Sequence, residues 1–373
     1  MKIAFFHHTM MLGSGIDTVI WELANRLKED HDVTIFTFFN EYDNPIVKTI
    51  PIPFNEKRPV SAVFSPLIPG SYRFRKKVKD FDVVNVHHFP ANFFPFFPTK
   101  MDTLNIVTEW SGPPMSFLEN MNFNERLYMK LARFMNKYAA NRADGLLAPC
   151  SFVKQWIMDN YGLNSHKMYL DGINFDYFDY RNEYNKPDFG GPTILYVGRI
   201  APNKNIDLLI ESFEIVKKEF DDSKLVIVGR KTFPAYYRKL KKVIKNKNLQ
   251  EDVIFTGEVP WGELPDYYAS CDVYATCSSW EGFLRAEAFA MKKPMVAFDT
   301  GANRDTIKDG INGFLVENGD YVSFAEAIIK LINDSNLNKR MGDEGYKWAL
   351  KHLDFDKISQ NFSKYLEEAI SCR

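Results

Sequence analysis

The first part of the chain alternates short apolar runs with amphipathic stretches. Residues 3–6 form an apolar run typical of a buried strand. Apolar residues then recur at the spacing of one helix face, at Val19, Ile20, Leu23, Ala24 and Leu27. Further apolar runs predict strands at residues 33–38, 82–86 and 105–108. Strands that alternate with helices in this way predict a parallel sheet with helices on both faces.

A second series of the same kind follows residues 181–192, which contain Asn, Pro and two Gly residues without apolar periodicity. We interpret this stretch as a linker between domains. Residues 206–220 predict a helix, and apolar runs predict strands at 193–198, 225–229, 253–257, 273–276 and 294–298. We therefore expect an α/β protein with two Rossmann-like, doubly wound sheets. They are expected to face a cleft between the carboxyl ends of their strands, where such sheets bind ligands.

The length of the chain supports the same division. Its 373 residues exceed what one hydrophobic core usually serves. We expect an N-terminal Rossmann-like domain at residues 1–180 and a second one at residues 193–355, followed by a terminal segment at 356–373. Residues 359–370 predict an amphipathic helix within that last segment.

Composition narrows the class of protein and its compartment. The formal net charge is -1, so nothing in the overall charge points to nucleic acid as a partner. The four cysteines include no C-x-x-C pair, which argues against a zinc or redox motif and favours a reducing cytoplasm. The first apolar run is too short for a secretory signal, and no apolar run reaches the roughly 18 residues of a spanning helix.

The motif from Gly198 to Asp207 directly follows a predicted strand and opens a helix. Arg199 and Lys204 are expected to flank the mouth of the cleft. Together with the helix N-terminus they make a site suited to a diphosphate. On composition alone, two solvated cations on a loop are an equal alternative.

A second motif, at residues 280–290, also lies between a predicted strand and a helix. Glu281 and Glu287 flank a turn that contains Gly282 and Phe283. A carboxylate beside a cleft can hold sugar or ribose hydroxyls, and backbone amides of the turn can meet phosphate. The alternative is that both acids only stabilise the positive start of the helix.

The first domain offers a glycine loop and histidines at strand ends. Residues 13–15 read Gly-Ser-Gly, and Gly15 allows the backbone to approach a ligand closely. Asp17 follows, either as an acidic site residue or as a helix N-cap. His87 ends a predicted strand and is a candidate to accept a proton or to bond a sugar hydroxyl, a packed structural histidine being the alternative. His7 and His8 follow another strand and are expected to reach the same cleft.

As an ordered set, these motifs resemble the retaining nucleotide-sugar glycosyltransferases of family 4, which have the GT-B fold. The resemblance covers essentially the whole chain and is densest at residues 193–320. The matching residues are Gly198-Arg199 with Lys204, residues 253–259, 271–273, Glu281-Gly282-Phe283 with Glu287-Ala288, 294–297 and 309–316.

The resemblance implies roles for these residues. Arg199 and Lys204 would hold the donor diphosphate, Glu287 the ribose hydroxyls, and Glu281 would lie near the transferred sugar. Val259 ends a segment beside the base, and the loop with Gly15 faces the reacting sugar. The catalytic candidates are His87, Glu281, Arg199 and Lys204. The donor-binding candidates are Gly15, Arg199, Lys204, Arg230, Val259, Glu281, Gly282, Phe283 and Glu287.

The chain departs from the family pattern at three places. Five residues separate Glu281 from Glu287, two fewer than usual, so either the turn is shorter or Ser279 occupies the first acidic position. Arg230 stands where the family commonly has a small residue, and it either touches the donor phosphate or lies on the surface. Trp110 stands where the family often has histidine, which implies an altered acceptor or sugar contact.

The implied function is metal-independent, retaining transfer of a hexose-type sugar from a UDP- or GDP-linked donor to a glycan or lipid-linked acceptor. No cofactor is expected. The first domain would bind the acceptor, the second the nucleotide sugar, and the last helix would cross back to the first domain. Two D-x-D sequences, at 80–82 and 354–356, lie in poor places for a cleft metal, so no metal is assigned. The alternatives are a non-catalytic nucleotide-sugar or glycan-binding protein and an NDP-sugar epimerase of related fold.

Two neighbouring segments bear on the acceptor. Residues 88–98 are rich in phenylalanine, and residues 73–79 are basic with interleaved apolar residues. This pairing suits contact with an anionic lipid surface or a lipid-linked acceptor, and so a cytoplasmic protein peripheral to the membrane. The alternative is a core helix behind the sheet together with a solvated basic face.

Overall fold

The computed structural model describes residues 1–12, 14–50, 67–96, 99–110, 123–280 and 286–373. The chain divides into two compact units. Unit 1 comprises Met1–Gly172 together with Phe355–Arg373, and unit 2 comprises Ile173–Asp354.

Unit 1 is built on a parallel sheet. Its strands are β1 (Lys2–Phe6), β2 (Thr9–Met10), β3 (Asp32–Thr37), β4 (Phe39–Asn40), β5 (Val47–Thr49), β6 (Val83–Val86), β7 (Leu104–Thr108), β8 (Gly145–Ala148) and β9 (His166–Lys167). Within the described residues, the seven strands other than β2 and β4 form one parallel sheet in the order β5-β3-β1-β6-β7-β8-β9. β6 and β7 are buried along their whole length, as expected of parallel strands with both faces covered.

Four helices of unit 1 precede unit 2 in the described part of the chain. They are α1 (Gly15–Leu27), α2 (Leu67–Val78), α3 (Phe123–Ala140) and α4 (Ser151–Tyr161). α1 buries the apolar face that its spacing predicts. α4 ends at Gly162, whose φ of 72° is a left-handed conformation that glycine adopts at low cost.

Unit 2 repeats the architecture. Its strands are β10 (Thr193–Val197), β11 (Lys224–Val228), β12 (Val253–Gly257), β13 (Val273–Thr276), β14 (Met295–Phe298) and β15 (Gly313–Val316). Its helices are α5 (Ile206–Glu219), α6 (Pro234–Asn246), α7 (Leu264–Ser270), α8 (Glu287–Ala290), α9 (Asn303–Thr306), α10 (Tyr321–Asn333) and α11 (Ser335–His352). The strands pair in parallel, in the order β12-β11-β10-β13-β14-β15.

Each sheet has a switch point, where the strand order reverses beside its first strand. In unit 1 the reversal lies between β1 and β6, and in unit 2 it lies between β10 and β13. Loops that leave two such strands diverge and open a crevice at their carboxyl ends, the usual ligand site of doubly wound sheets. The prediction of two doubly wound α/β sheets is confirmed.

A close backbone contact joins two loops at the edge of the unit 2 sheet. Gly229 follows β11 with φ at 145°, and a Cβ on it would lie 2.0 Å from the carbonyl oxygen of Gly198. Only glycine fits this position, because a side chain would collide with backbone that cannot move aside. The loops after β10 and β11 are thereby pressed together.

The last helix, α12 (Phe355–Ser371), returns the chain to unit 1. Nε of Arg26 in α1 donates to Oδ1 of Asp356 at 2.5 Å. The ring of Phe362, which is fully buried, stacks on Phe5 of β1 with 5.8 Å between centroids. The terminal segment is therefore part of the packed interior of unit 1.

The aromatic segment after β6 is largely core rather than surface. Phe89, Phe94 and Phe96 are buried, while residues 97 and 98 lie outside the described part. The interpretation of these phenylalanines as a lipid-contacting surface is wrong, since the sheet and helices cover them. The segment contains a short 3-10 turn, Ala91–Phe93, rather than the core helix of the alternative. Throughout the described part of the chain, the helices are too short or too polar to cross a bilayer.

Candidate functional site

The loop after β10 presents the two cations of the first motif. Arg199 is exposed and follows the strand by two positions, while the Ile200 amide donates to the carbonyl of Arg230 at 2.9 Å. The 3-10 turn Pro202–Lys204 comes next and carries Lys204, which is partly buried. Asn205, with φ at 45°, then starts α5. Both cations thus lie in the loop between the carboxyl end of β10 and the start of a long helix, where anions are favoured.

A serine fastens the neighbouring loop to this turn. The amide and the Oγ of Ser279 both donate to the carbonyl of Asn203, at 3.0 and 3.2 Å. Because Ser279 follows β13, these bonds join the two loops that diverge at the unit 2 switch point. From the sequence alone, Ser279 is a candidate only for the first acidic position of the second motif. A hydroxyl residue just beyond a strand end was the available signal.

Part of the second motif lies outside the described residues, namely Glu281, Gly282 and Phe283. The two registers of the acidic motif therefore both stay predictions. Glu287 is described, and it is the first residue of α8. Its carboxylate is buried, with Tyr268 Oη donating to its Oε2 at 3.5 Å. The contact of Glu287 with a ribose stays a prediction.

Arg230 is engaged by a carboxylate at the ends of β11 and β12. Its Nε and Nη2 donate to Oε2 and Oε1 of Glu258, each at 2.9 Å. Both side chains are more than half exposed. Val259, the predicted neighbour of the base, follows Glu258 and is partly buried. The positive charge of Arg230 is therefore paired with the carboxylate of Glu258. The contact of Arg230 with a phosphate stays a prediction.

Four histidines gather at the unit 1 switch point. His7 and His8 follow β1, and His87 and His88 follow β6. The ring of His7 lies 4.4 Å from that of His8 and 5.8 Å from that of His87, measured between centroids. The structure thus brings together the histidines that the sequence placed at two strand ends.

Asp17 of α1 places a carboxylate against this histidine cluster. It is fully buried, and its Oδ1 lies 3.2 Å from Nε2 of His7. The amide of Met11 donates to its Oδ2 at 2.6 Å. The N-cap role considered for Asp17 is wrong, because Ser14 occupies the N-cap position and Gly15 is the first helical residue. Gly13 lies outside the described part.

His87 is buried and held by the neighbouring strand end. Trp110, two residues beyond β7, donates its Nε1–H to Nδ1 of His87 at 2.9 Å. Burial, and then the proximity of His7 and His88, hold the pKa of His87 well below its usual range. Burial and the same His7 lower the pKa of His8 as well. Burial and His7 also lower the pKa of His88, to about 3, so three imidazoles at the carboxyl ends of these strands are neutral at physiological pH.

Neither D-x-D sequence presents a metal site. Oδ2 of Asp82 accepts the amide of Lys2 at 2.7 Å, and Asp356 accepts from Arg26. Among the described side chains, no group of three or more His, Cys, Asp or Glu residues has a geometry that would hold a metal ion. A metal-independent reaction stays a prediction.

Two family models divide the chain much as its two sheets do. The model described as "Glycosyltransferase Family 4" matches residues 13–170, and the model described as "Glycosyl transferases group 1" matches residues 179–348. Together they span most of the chain.

Individual proteins agree with this match. The chain is 25% identical, over 95% of its length and 94% of the relative, to an uncharacterized glycosyltransferase of Methanocaldococcus jannaschii. It is 24% identical to a phosphatidyl-myo-inositol mannosyltransferase of Mycobacterium leprae, over 88% of this chain and 84% of that one. Its fold is similar to that of HepE from Anabaena in complex with UDP, with a TM-score of 0.78, 18% identity and coverage of 99% and 100% of the two chains. The chain belongs to the GT-B glycosyltransferases of the family 4 type.

Proposed function

We propose that this glycosyltransferase moves a hexose-type sugar from a nucleoside-diphosphate sugar to a glycan or lipid-linked acceptor, with retention of the anomeric configuration. The observation that carries the proposal is the pair of cations after β10, Arg199 and Lys204, at the switch point of unit 2. Two positive side chains and a helix N-terminus match the charge of a diphosphate. Family membership favours transfer over the alternatives of binding alone and of epimerisation.

The proposed chemistry places the main electrostatic demand on the leaving group. As the bond between the sugar and the diphosphate breaks, negative charge grows on the phosphate oxygen, and Arg199 and Lys204 stabilise it. The sugar passes through an oxocarbenium-like state, and the acceptor hydroxyl attacks from the face that the diphosphate leaves. The hydroxyl proton passes to the departing phosphate oxygen as the new bond forms. Glu287 would hold the ribose, and His87 would contact the sugar. The step needs no metal, because cations of the protein neutralise the diphosphate.

The donor base is proposed from the similar proteins. HepE was determined in complex with UDP and with UDP-glucose, and several mycobacterial relatives are named as GDP-mannose-dependent enzymes. Both groups support a hexose on a nucleoside diphosphate. They leave uridine and guanosine as the two candidate bases.

A face of α3 supports a lipid-linked acceptor and peripheral contact with a membrane. Phe123, Leu127 and Phe134 are 78%, 42% and 64% exposed, and their spacing places them along one side of the helix. Arg126 and Lys130 are exposed on the same helix. An apolar stripe beside basic side chains is typical of helices that lie on anionic lipid.

Vesicle sedimentation tests the membrane contact. We expect binding to vesicles that contain phosphatidylglycerol and little binding to pure phosphatidylcholine. Phe134→Ser should reduce it, whereas Ile311→Ser, at an apolar residue of unit 2 that is 55% exposed, should not. Equal sedimentation of both variants with the wild type would exclude this face as the membrane contact.

The nucleotide site is tested by thermal stability with excess UDP, GDP or ADP. A ligand at about 100 times its Kd stabilises a protein by about 2.7 kcal/mol. We expect one nucleotide to raise the Tm of the wild type. The same nucleotide should raise the Tm of Lys204→Ala much less. Lys218→Ala, at an exposed lysine of α5, is the matched control and should respond like the wild type.

Transfer itself is tested with the nucleotide sugar of the base found in that way. Lys204→Ala should lower turnover by about 100-fold or more, as expected when one transition-state charge contact is lost. Unchanged turnover would remove the diphosphate role of Lys204. Donor binding without transfer or hydrolysis across many acceptors would favour the binding protein, and interconversion of the sugar without an acceptor would favour the epimerase.

A further inference from the structure

The contact between His87 and Trp110 determines which nitrogen of His87 carries its proton. The indole Nε1–H has no lone pair to offer and acts only as a donor. It donates to Nδ1 of His87 at 2.9 Å, and both side chains are buried. Nδ1 must therefore be the unprotonated nitrogen. The two rings are inclined by only 21°, with 5.9 Å between centroids, so packing also holds this arrangement.

The surroundings of His87 keep the ring neutral. Its pKa is lowered first by burial and then by His7 and His88. The carboxylate of Asp17 on α1 pairs with His7 at 3.2 Å. The ring of Phe5 of β1 also lies beside His87, at 6.4 Å between centroids, and it carries no charge. A neutral imidazole whose Nδ1 accepts a hydrogen bond has its proton on Nε2.

The Nε2–H group is buried and has no hydrogen-bond partner among the described residues. A buried donor left unsatisfied costs about 1–3 kcal/mol, so a ligand oxygen placed against it recovers that free energy. His87 also ends β6 at the switch point, the edge at which doubly wound sheets bind ligands. The Nε2–H of His87 is a neutral donor that is buried away from water. Such a donor suits a neutral hydroxyl oxygen better than a charged phosphate.

We propose that Trp110 is a positioning residue that holds His87 in the Nε2–H tautomer, so that His87 donates a hydrogen bond to an oxygen of the donor sugar. The inference rests on the proposed function for the identity of that sugar. It selects between the two roles that sequence left open for His87. With Nδ1 occupied by the indole and Nε2 already protonated, the ring acts as a hydrogen-bond donor and not as a general base.

The tautomer is measured first, without any substrate. In a nitrogen-15 spectrum of the histidine rings, His87 of the wild type should show a protonated Nε2 and an unprotonated Nδ1. His87→Asn identifies the signals, since its amide oxygen can still accept from Trp110. Trp110→Phe keeps an aromatic ring against His87 and removes the N–H. It should mix the two tautomers and let His87 gain a proton at higher pH than in the wild type.

The sugar contact is measured as the affinity for UDP-glucose relative to UDP, and for GDP-mannose relative to GDP. Trp110→Phe should lower the affinity for the sugar nucleotide by roughly 3- to 10-fold, the worth of one neutral hydrogen bond, and leave that for the bare nucleotide unchanged. Trp348→Phe is the matched control, because Trp348 lies 5.0 Å from the ring of His352 in unit 2. It should change neither ratio.

Three results would overturn the inference. They are a protonated Nδ1 on His87 in the wild type, an unchanged tautomer in Trp110→Phe, or equal loss of affinity for sugar nucleotide and bare nucleotide. Failure of the proposed function looks different, since then no nucleotide or sugar nucleotide binds the wild type. The nitrogen-15 spectrum decides the tautomer in that case too, because it needs no ligand.

Discussion

At the switch point of unit 1 the strands end in buried imidazoles, whereas at the switch point of unit 2 the loop after β10 carries cations that reach solvent. His87 is 1% exposed, while Arg199 is exposed and Lys204 only partly buried. The two sheets share parallel pairing and the position of their reversal. The difference therefore arises from the few residues that follow equivalent strands.

This contrast separates two ways of preparing a site. At the unit 1 edge, burial removes charge from His87, and fixed hydrogen bonds decide which atoms donate. At the unit 2 edge, charge is retained near water, which suits a highly charged ligand that would resist a dry pocket. The unit 1 site therefore depends mainly on the fixed orientation of its hydrogen-bonding groups. The unit 2 site depends mainly on electrostatic attraction of its ligand.

The largest effect is expected at the carboxyl ends of the unit 2 strands, which we call the charged edge. There the loops after β10 and β11 are in close backbone contact. Gly229→Ala would place a methyl group 2.0 Å from the carbonyl oxygen of Gly198, at a φ of 145°. Backbone strain of about 1–3 kcal/mol and a collision of similar cost should add, so we expect about 3 kcal/mol or more of destabilisation. Urea unfolding measures this loss.

Gly310→Ala is the matched control in the same unit. Gly310 has φ at 72°, but nothing lies within 4 Å of an added Cβ. It should lose only about 1–2 kcal/mol, the cost of a left-handed conformation alone. Equal losses in the two variants would show that the charged edge does not depend on the close contact of its loops.

An intermediate effect on stability is expected from lowering the pH, through the buried histidines at the unit 1 switch point. Folded His87 stays neutral because its pKa is depressed, while unfolded His87 binds a proton below about pH 6.5. Unfolding then takes up a proton, so stability is present above that pH and is lost as the pH falls. Each such histidine contributes a slope of about 1.4 kcal/mol per pH unit well below its unfolded pKa.

The slope is measured from urea unfolding between pH 7 and pH 5. His87→Asn should reduce it, since the variant keeps an acceptor for Trp110 but does not titrate. His352→Gln, in unit 2, should leave it unchanged because that histidine is not part of the buried cluster. A wild-type slope that His87→Asn does not alter would contradict a neutral His87.

The strands, the doubly wound class and the placement of Arg199 and Lys204 were predictable from sequence, because apolar periodicity and loops at strand ends are local features. The bond between Trp110 and His87 was not, since it joins two strand ends 23 positions apart and depends on ring orientation. The sequence also left the burial of Phe94 open between a core segment and a lipid-contacting surface, and the structure places it in the core. An aromatic run looks the same in sequence whether helices cover it or lipid does.

The smallest effect is expected at Arg230. Its charge is already paired with a carboxylate within the protein, as the charge of Asp17 in unit 1 is paired with His7. Its exposed ion pair with Glu258 contributes about 1 kcal/mol or less to stability, so Arg230→Gln should leave the Tm nearly unchanged. Arg304→Gln is the matched control, because Arg304 forms a similar exposed pair with Asp299.

If Arg230 belongs to the charged edge, it must give up part of its bond to Glu258 in order to reach a phosphate. The net gain is then small, and we expect Arg230→Gln to weaken binding of the nucleoside diphosphate by about fivefold at most, equivalent to about 1 kcal/mol. Binding of the nucleoside monophosphate should weaken less, because it offers one phosphate fewer. Calorimetric titration with both nucleotides measures the difference. Identical affinities in the wild type, Arg230→Gln and Arg304→Gln would assign Arg230 to the surface, and would restrict the charged edge to the loop after β10.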